Sequence, residues 1–511
     1  MRPVRVRFAP SPTGALHIGG VRTALYNFLL ARKHGGTMIL RIEDTDQARY
    51  VPGAEEYIIE SLLWAGIKID EGVGAGGPYA PYRQSERKQI YQQCARQLIE
   101  DGHAYYAFDS EVELEDMRER LKNAGENQQH YNSATRMSMK NSLSLPAAEV
   151  QTRLLSGDPY VVRLKVEPGV DIRLHDLIRG EVVVNSSQID DKVLMKSDGM
   201  PTYHLANVVD DYMMKISHVI RGEEWLPSAP LHVLLYRYFG WEKEMPAFAH
   251  LPLLLKPDGN GKLSKRDADR MGFPIFPINW KDPASGELVK GYRESGYLPE
   301  ALINFLALLG WNPGTTQELF TIDELIQAFT LERINKAGAR FDIQKAQWFN
   351  QQYLRALPDE RLNSFLQESL SQHGLNPDMQ TITRVVRVMR ERVTFPQDFW
   401  EQGRFFFIAP DQYDEQIVSK KWNEESVRGL KEISRALKAT TPSAMDEIKS
   451  TVDIALSGLG IKPGAVLPVL RLCMTGGSAG PDLMATIEIL GAAEAGSRID
   501  RAVERLSIKT H

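Results

Sequence analysis

About forty residues at the amino end fix what the front of this chain can fold into. Val4-Arg-Val-Arg-Phe8 alternates apolar and polar residues with the period of a strand, and Pro10-Ser-Pro-Thr-Gly14 is turn chemistry. Leu16, Ile18, Val21, Leu25, Phe28 and Leu29 then recur at helical spacing until Gly35-Gly36 stops the helix. Met38-Ile-Leu-Arg-Ile42 is a second strand. Strands joined by a crossover helix are parallel neighbours, which predicts an α/β fold with a Rossmann-like parallel sheet. Ligands of such sheets bind beyond the carboxyl ends of the strands, here Arg7–Ser11 and Glu43–Asp46.

Charge is segregated around those ends. Met1–Arg41 carries seven Arg or Lys and no acid, whereas Ile42–Glu71 carries eight acids against Arg49 and Lys68. This pattern suggests a site that handles anions. The chain as a whole is ordinary: 511 residues with a net charge of −5. Its length implies about three domains, because a single core rarely exceeds about 250–300 residues. The charge excludes an indiscriminately basic nucleic-acid coat and a polyacidic disordered chain. Cys94 and Cys473 are too few for a disulfide scaffold, an iron–sulfur cluster or a Cys₄ zinc site. With neither an 18-residue apolar run nor a signal peptide, a cytoplasmic enzyme is expected.

Further along, a helix is predicted over Ala54–Trp64 and an acidic helix over Glu111–Lys122, followed by polar Asn127–Ser144. With the strand-like Tyr160–Val166 and Glu181–Asn185, these suggest an inserted segment. The sheet pattern is expected to resume near Tyr203 and at His218–Arg221. Beyond Pro299 the pattern is helical, at Glu300–Leu309, Ile322–Thr330, Glu360–His373, Ile382–Val393, Glu424–Leu437, Ala444–Leu459 and Leu483–Leu490.

Two segments carry chemistry. His17-Ile-Gly-Gly20 opens the first helix, where unpaired backbone N–H groups favour phosphate and two glycines let a flat nucleotide lie on the backbone. By itself the segment is also what an ordinary helix start looks like. Pro257-Asp-Gly-Asn-Gly-Lys-Leu-Ser-Lys-Arg266 is a glycine-punctuated loop with cations at Lys262, Lys265 and Arg266, able to neutralise a departing pyrophosphate or simply to be a solvated basic loop.

Together these segments resemble the paired "HIGH" and "KMSKS" signatures of class I aminoacyl-tRNA synthetases, with Gly20, Leu263 and Arg266 as departures. Arg7-Phe-Ala-Pro-Ser-Pro-Thr-Gly14, Arg41-Ile-Glu-Asp-Thr-Asp46, Tyr203-His-Leu-Ala-Asn-Val-Val-Asp-Asp211, Arg221-Gly-Glu-Glu-Trp225 and Arg333 to Trp348 resemble the bacterial-type glutamyl-tRNA synthetases. The resemblance runs from about residue 5 to the C-terminus. It implies ATP-dependent formation of glutamyl-adenylate and transfer of glutamate to the 3′ end of glutamate tRNA. The implied partners are L-glutamate, ATP with Mg²⁺ as a substrate complex, and that tRNA, with no membrane and a monomeric state.

Carried onto this sequence, the resemblance gives Arg7, Ala9, Ser11, Glu43, Tyr203, Asn207 and Arg221 as the glutamate site. Arg7 would take the side-chain carboxylate, which guanidinium recognises bidentately, Arg221 would be a further substrate arginine, and Glu43 would take the α-ammonium group. His17, Gly19, Gly20, Glu224, Trp225, Leu254 and Lys265 form the implied ATP site, with His17, Lys262 and Lys265 stabilising charge during the displacement. The implied domains are a catalytic domain at 1–100 and 201–262, an acceptor-end-binding insertion at 101–200, a lysine loop and connecting domain at 263–357, and an all-α anticodon-binding domain at 358–511.

Residues 104–163 contain no cysteine where many bacterial relatives carry a Cys/His zinc knuckle, so no zinc is expected; stoichiometric zinc on metal analysis would overturn this. Met271–Tyr292 looks longer than the family's usual link and reads as an ordered apolar insert, either packing or a lid. Arg384, Arg387, Arg390 and Arg392 form a local basic strip. Arg392 and Arg471 match anticodon contacts, and Arg392 favours a glutamate-tRNA-specific enzyme over one that also charges glutamine tRNA. A glutaminyl-tRNA synthetase would need a β-barrel anticodon module, and the truncated tRNA-modifying paralogue lacks the helical half. A small-molecule nucleotidylyltransferase has no use for that half either. A non-catalytic RNA-binding paralogue would not need the intact Arg7, His17, Glu43, Tyr203, Arg221 and Lys265.

Overall fold

The computed structural model describes residues 2–126, 129–259 and 261–507. Asn127, Gln128 and Asn260, which belong to the polar stretch and the glycine-punctuated loop, lie outside the described residues. The chain divides into two units, Met1–Ser295 with Pro299–Ala346 and Gly296–Leu298 with Gln347–His511.

The first unit opens with β1 (Arg5–Phe8), α1 (Ile18–Lys33) and β2 (Thr37–Leu40). β1 and β2 are parallel, with Arg5 opposite Thr37 and Phe8 opposite Leu40. The helical repeat of α1 buries Val21, Leu25, Phe28 and Leu29. β3 (Glu71–Gly72) extends the sheet beyond β2. β4 (Ala104–Ala107), β5 (Val161–Leu164), the hairpin β6 (Asp171–Asp176) and β7 (Gly180–Asn185), and β8 (Val193–Met195) follow. β4, β5 and β8 form a small antiparallel sheet. Tyr105, Ala107, Met117, Tyr131 and Met139 make a separate small core in this region.

The β6–β7 hairpin joins β9 (His218–Gly222) and β10 (Ala247–Leu251) in the order β7-β6-β10-β9, with β10 parallel to both neighbours. The Ser217 amide donates to the Arg5 carbonyl at 2.8 Å and the Arg5 amide to the Ser217 hydroxyl at 2.7 Å, which sets β9 beside β1. The sheet therefore runs outward on both sides of the β1–β9 junction. Such a switch point splays the connections apart and opens a crevice at the carboxyl ends of the strands.

Tyr203–Met213 is a helix where a strand was expected. Its aromatic and β-branched residues mimic a strand, but Tyr203, Asn207 and Asp211 are four apart and share one face. Other expected elements form within a few residues of their predicted bounds, including Ala54–Trp64, Glu111–Asn123 and Leu483–Leu490. Pro463–Thr475 is a helix that Pro463 and Pro468 concealed. Pro463, at the first helical position, gives up only an N–H that would be unpaired there anyway, whereas Pro468 lies inside the helix. In the Met271–Tyr292 insert, Phe273, Ile275, Phe276, Ile278, Trp280 and Tyr292 are all buried. Tyr57 donates to the Ile278 carbonyl at 2.6 Å and meets the Trp280 ring edge-on.

The second unit is helical. Helices Glu424–Thr440, Met445–Ser457, Pro463–Thr475, Leu483–Leu490 and Ala492–Ser507 surround a core that includes Leu430, Ile433, Leu456, Val466, Leu470, Ile487 and Ile499. An α/β front with an all-α back is the fold class the residue pattern indicated.

Candidate active site

A cavity of about 240 Å³ opens at the β1–β9 switch point. Arg7, Ala9 and Ser11 enter it from the end of β1, Glu43 from beyond β2, Tyr203 and Asn207 from their helix, and Arg221 from the end of β9. The seven residues expected around the amino acid are thus brought together.

Behind them lies a buried charge network. Arg7 is 3% exposed, and its Nε donates to Asp211 Oδ1 at 3.0 Å. Arg41, fully buried at the end of the second strand, donates to Asp211 at 2.7 Å and to Glu43 at 3.0 Å, with Asp210 at 3.8 Å. Arg87 holds the other oxygen edge of Asp210 at 2.8 Å. Three guanidiniums and three carboxylates lie interleaved in the interior, so the buried charges are paired even though Arg41 Nε has no hydrogen-bond partner among the described residues. Burial alone would raise the Asp211 pKa, but Arg7 and Arg41 outweigh it and hold that carboxyl below its usual range. At Glu43 burial wins and its pKa is raised despite Arg41 and Arg7. The bonds that Glu43 accepts from Arg41 and from Asn207, the latter at 3.1 Å, both fall on Oε1, which leaves Oε2 for a ligand cation.

The network also orients. With Nε of Arg7 tied to Asp211, its terminal nitrogens have no acceptor among the described residues and face the cavity. Arg221 donates from Nε to His250 Nε2 at 3.0 Å and from Nη1 to the Tyr203 hydroxyl at 2.7 Å. Two of the five guanidinium N–H groups are then spent, with a longer contact to the Trp225 carbonyl at 3.4 Å.

A smaller lobe of about 50 Å³ adjoins the start of α1 and is lined by His17, Gly19, Leu254, Lys262, Leu263 and Ile275 among others. His17 caps the helix, its Nδ1 accepting from the Gly19 amide at 3.0 Å. An Nδ1 that accepts puts the ring proton on Nε2, so His17 presents a donor toward the pocket. Although the ring opens onto the cavity, the surrounding protein desolvates it, and with Lys262 nearby its pKa is lowered. A Cβ on Gly19 would lie 2.7 Å from the His17 ring, and one on Gly222 would lie 2.1 Å from the Glu224 carboxylate. Lys262 pairs with Glu224 at 3.4 Å. Lys265 begins the helix Lys265–Met271 and pairs with Glu287 of the apolar insert at 3.5 Å; it lines neither lobe.

Residues 3–348 match the family model described as tRNA synthetases class I (E and Q), catalytic domain, and residues 355–503 the model described as anticodon binding domain. The glutamate–tRNA ligase of Cytophaga hutchinsonii is 61% identical over 511 residues, covering 100% of this chain and 99% of the relative. That of Amoebophilus asiaticus is 57% identical, covering 98% of each. The chain belongs to the glutamate–tRNA ligase family. A crystal structure of a glutamate tRNA ligase from Elizabethkingia meningosepticum in complex with its amino acid superposes with a TM-score of 0.95 at 48% identity, covering 98% of this chain and 99% of that one.

In this ligase-family chain the second unit places Arg392 and Arg471 near one another. Burial lowers the Arg471 pKa, and the Arg392 charge lowers it further. Arg471 donates to the Pro481 carbonyl at 2.7 Å. The rest of the expected basic strip is internally paired, Arg384 with Glu488 at 3.7 Å, Arg387 with Asp359 at 2.9 Å and Arg390 with Asp359 at 3.4 Å. Among the described residues no three His, Cys, Asp or Glu side chains cluster as a metal site, and no helix is long and apolar enough to cross a membrane.

Sequence reasoning missed the support behind the site: Arg41, Asp210, Asp211, Arg87, His250 and Asp176. Arg41 and the Asp210–Asp211 pair stood inside the quoted motifs, and charges embedded in apolar runs were the available signal. The role of Ile275 had no signal, since its carbonyl meets the Ile18 amide, at 2.9 Å, only through the tertiary fold.

Proposed function

We propose that this chain activates L-glutamate with ATP and transfers it to the 3′ end of glutamate tRNA. One observation carries this: two arginines tied at Nε, from the ends of β1 and β9, converge on one cavity beside Glu43. A glutamate side-chain carboxylate accepts from Arg7 and Arg221 in bidentate fashion. Glu43 and Asn207 receive the α-ammonium group, and Ala9, Ser11 and Tyr203 shape the wall. The α-carboxylate is then directed toward the start of α1.

ATP lies over His17, Gly19 and Gly20 with its base toward Leu254 and Trp225 and a ribose hydroxyl on Glu224. It arrives as its magnesium complex, the cation being carried by the phosphates. A glutamate α-carboxylate oxygen attacks the α-phosphorus, forming the acyl–phosphate bond while the bond to pyrophosphate breaks. His17 Nε2–H and the Lys262 and Lys265 ammonium groups take up the charge that develops on the phosphoryl oxygens. A terminal ribose hydroxyl of tRNA then attacks the carbonyl carbon, the acyl–phosphate bond breaks to release AMP, and the hydroxyl proton passes to the departing phosphate. No protein nucleophile is needed, because the protein contributes position and charge.

The tRNA acceptor end falls to the segment 101–200, its stem to 263–357, and the anticodon to 358–511 through Arg392 and Arg471. The protein works in the cytoplasm as a monomer without zinc. The comparisons lend no support to a form that also charges glutamine tRNA. The test is aminoacylation of purified glutamate and glutamine tRNAs with each amino acid, alongside pyrophosphate exchange with and without tRNA. Charging of glutamate tRNA with glutamate alone is expected; absence of glutamate-dependent exchange even with tRNA would refute the proposal.

A further inference from the structure

Behind Arg221 stands a pair of residues that touch no part of the cavity. Arg221 and His250 are register partners on β9 and β10, and Phe248, two residues earlier on β10, is the partner of Asp176 on β6. His250 and Asp176 are both fully buried. Arginine has only N–H donors, so the 3.0 Å contact from Arg221 Nε requires an unprotonated His250 Nε2. The ring proton is therefore on Nδ1, where it is donated to Asp176 Oδ2 at 2.6 Å.

The other oxygen of Asp176 is equally committed. Oδ1 accepts from the Ile178 amide at 3.0 Å, the Arg179 amide at 2.8 Å and the His250 amide at 3.3 Å. Three backbone donors fix that oxygen as an acceptor and hold the carboxylate plane. Burial works against the charged form of Asp176, but the His250 hydrogen bond and the backbone donors outweigh it. Burial likewise lowers the His250 pKa, consistent with a neutral ring.

We propose that Asp176 and His250 are positioning residues for glutamate recognition: Asp176 selects the His250 tautomer, and His250 holds the Arg221 guanidinium in its substrate-binding orientation. The proposal rests on the glutamate-binding role given to Arg221. It makes the β6–β7 turn, remote in sequence, part of the amino acid site. It also distinguishes the two arginines, since Arg7 is held by a charged carboxylate in direct contact and Arg221 by a neutral ring.

The tautomer argument yields a test that shape alone does not. In Asp176→Asn the three backbone amides keep the amide oxygen, so the NH₂ faces His250 Nδ1. The His250 proton is then displaced to Nε2, donor against the donor of Arg221. KM for glutamate in pyrophosphate exchange, with tRNA present, should rise about tenfold to a hundredfold, as loss of a hydrogen bond to a charged group implies. KM for ATP should stay within twofold. His250→Asn, which keeps the donor to Asp176 but is too short to reach Arg221, should behave likewise. His250→Gln, whose side-chain oxygen reaches the Nε2 position, should recover most of the affinity.

Melting curves establish that each variant folds, and Arg221→Ala is the control. If Arg221→Ala raises the glutamate KM while Asp176→Asn and His250→Asn do not, the positioning role is wrong and the role of Arg221 stands. If Arg221→Ala leaves the glutamate KM unchanged, the glutamate-site assignment itself fails. Equal losses in His250→Asn and His250→Gln, with both melting early, would mark a purely structural pair and overturn the proposal.

Discussion

Replacing Arg41 by Met tests whether the charges behind the cavity act as one network. Met keeps an unbranched stem and deletes a fully buried guanidinium lying 2.7 Å from Asp211, 3.0 Å from Glu43 and 3.8 Å from Asp210. Arg7 and Arg87 are then the cations left beside the three carboxylates, with Asn207, Gln84 and Tyr91 as neutral donors. Removing one partner of a buried ion pair costs about 3–5 kcal/mol, whereas an exposed pair is worth less than about 1 kcal/mol. The first unit spans about 340 residues, and an unfolding entropy of about 2.1 cal/mol/K per residue gives it roughly 0.7 kcal/mol/K. Its calorimetric transition should therefore fall by about 4–7 °C. Because Arg41 also holds Asp211 and Glu43, the glutamate KM should rise in the folded variant. The double variant Arg41→Met/Asp211→Asn removes one charge of each sign. It should be at least about 1 kcal/mol more stable than the two single losses added together. A transition lowered by less than about 1 °C with an unchanged glutamate KM, or strict additivity in the double variant, would refute the network.

Lys265→Ala should lower kcat for pyrophosphate exchange by about 10²–10³, or roughly 2.7–4 kcal/mol, and an unchanged rate would remove Lys265 from the chemistry. Gly19→Ala places a Cβ 2.7 Å from the His17 ring, which must swing away. Its exchange rate should match that of His17→Ala and fall no further in the double variant, while the helix cap loses only about 1 kcal/mol. Burial lowers the His204 pKa to about 4, and His232 and His250 are also depressed. The unfolded chain then binds more protons below about pH 6.5, so this stability is present above that pH and is lost as pH falls toward 4. His204 should cost about 1.4 kcal/mol at pH 5.5, and His204→Gln should flatten the decline of the melting temperature with acidity.

The parallel unit and the residues at its strand ends were legible because local patterns determine them. Periodicity gave β1, α1 and β2, and the rule for open sheets then pointed to Arg7–Ser11 and Glu43 before any tertiary contact was known. The Tyr203 helix was misread because its residues have strand propensity while their spacing is helical, and packing of Leu205, Val208 and Val209 decides between them. The buried partners were legible only as unexplained charge. Nothing local shows that Asp211 lies against Arg7, 204 residues away, or that Asp176 reaches Arg221 through His250. In the second unit the arginine spacing was visible, but its neutralisation by Asp359 and Glu488 was not, so the strip looked more basic than it is.

Arg7 and Arg221 are held through the same atom. A guanidinium tied at Nε cannot turn its plane, so its terminal nitrogens point where the acceptor behind it dictates. Two such planes, one set by Asp211 and one by His250, converge on a single cavity. A carboxylate completes both. A carboxamide turns its NH₂ toward a donor and leaves a buried guanidinium unpaired, and sites of this kind reject the wrong isostere by roughly 10⁴–10⁵. If the planes were free to turn, each could follow the amide oxygen and much of that rejection would be lost. On the proposed glutamate reading, selectivity then depends on residues that do not line the pocket. Asp211→Asn and Asp176→Asn leave every lining side chain in place. In pyrophosphate exchange they should narrow the ratio of kcat/KM for glutamate over glutamine before they lower kcat, and a ratio preserved in both would place the discrimination in the lining itself.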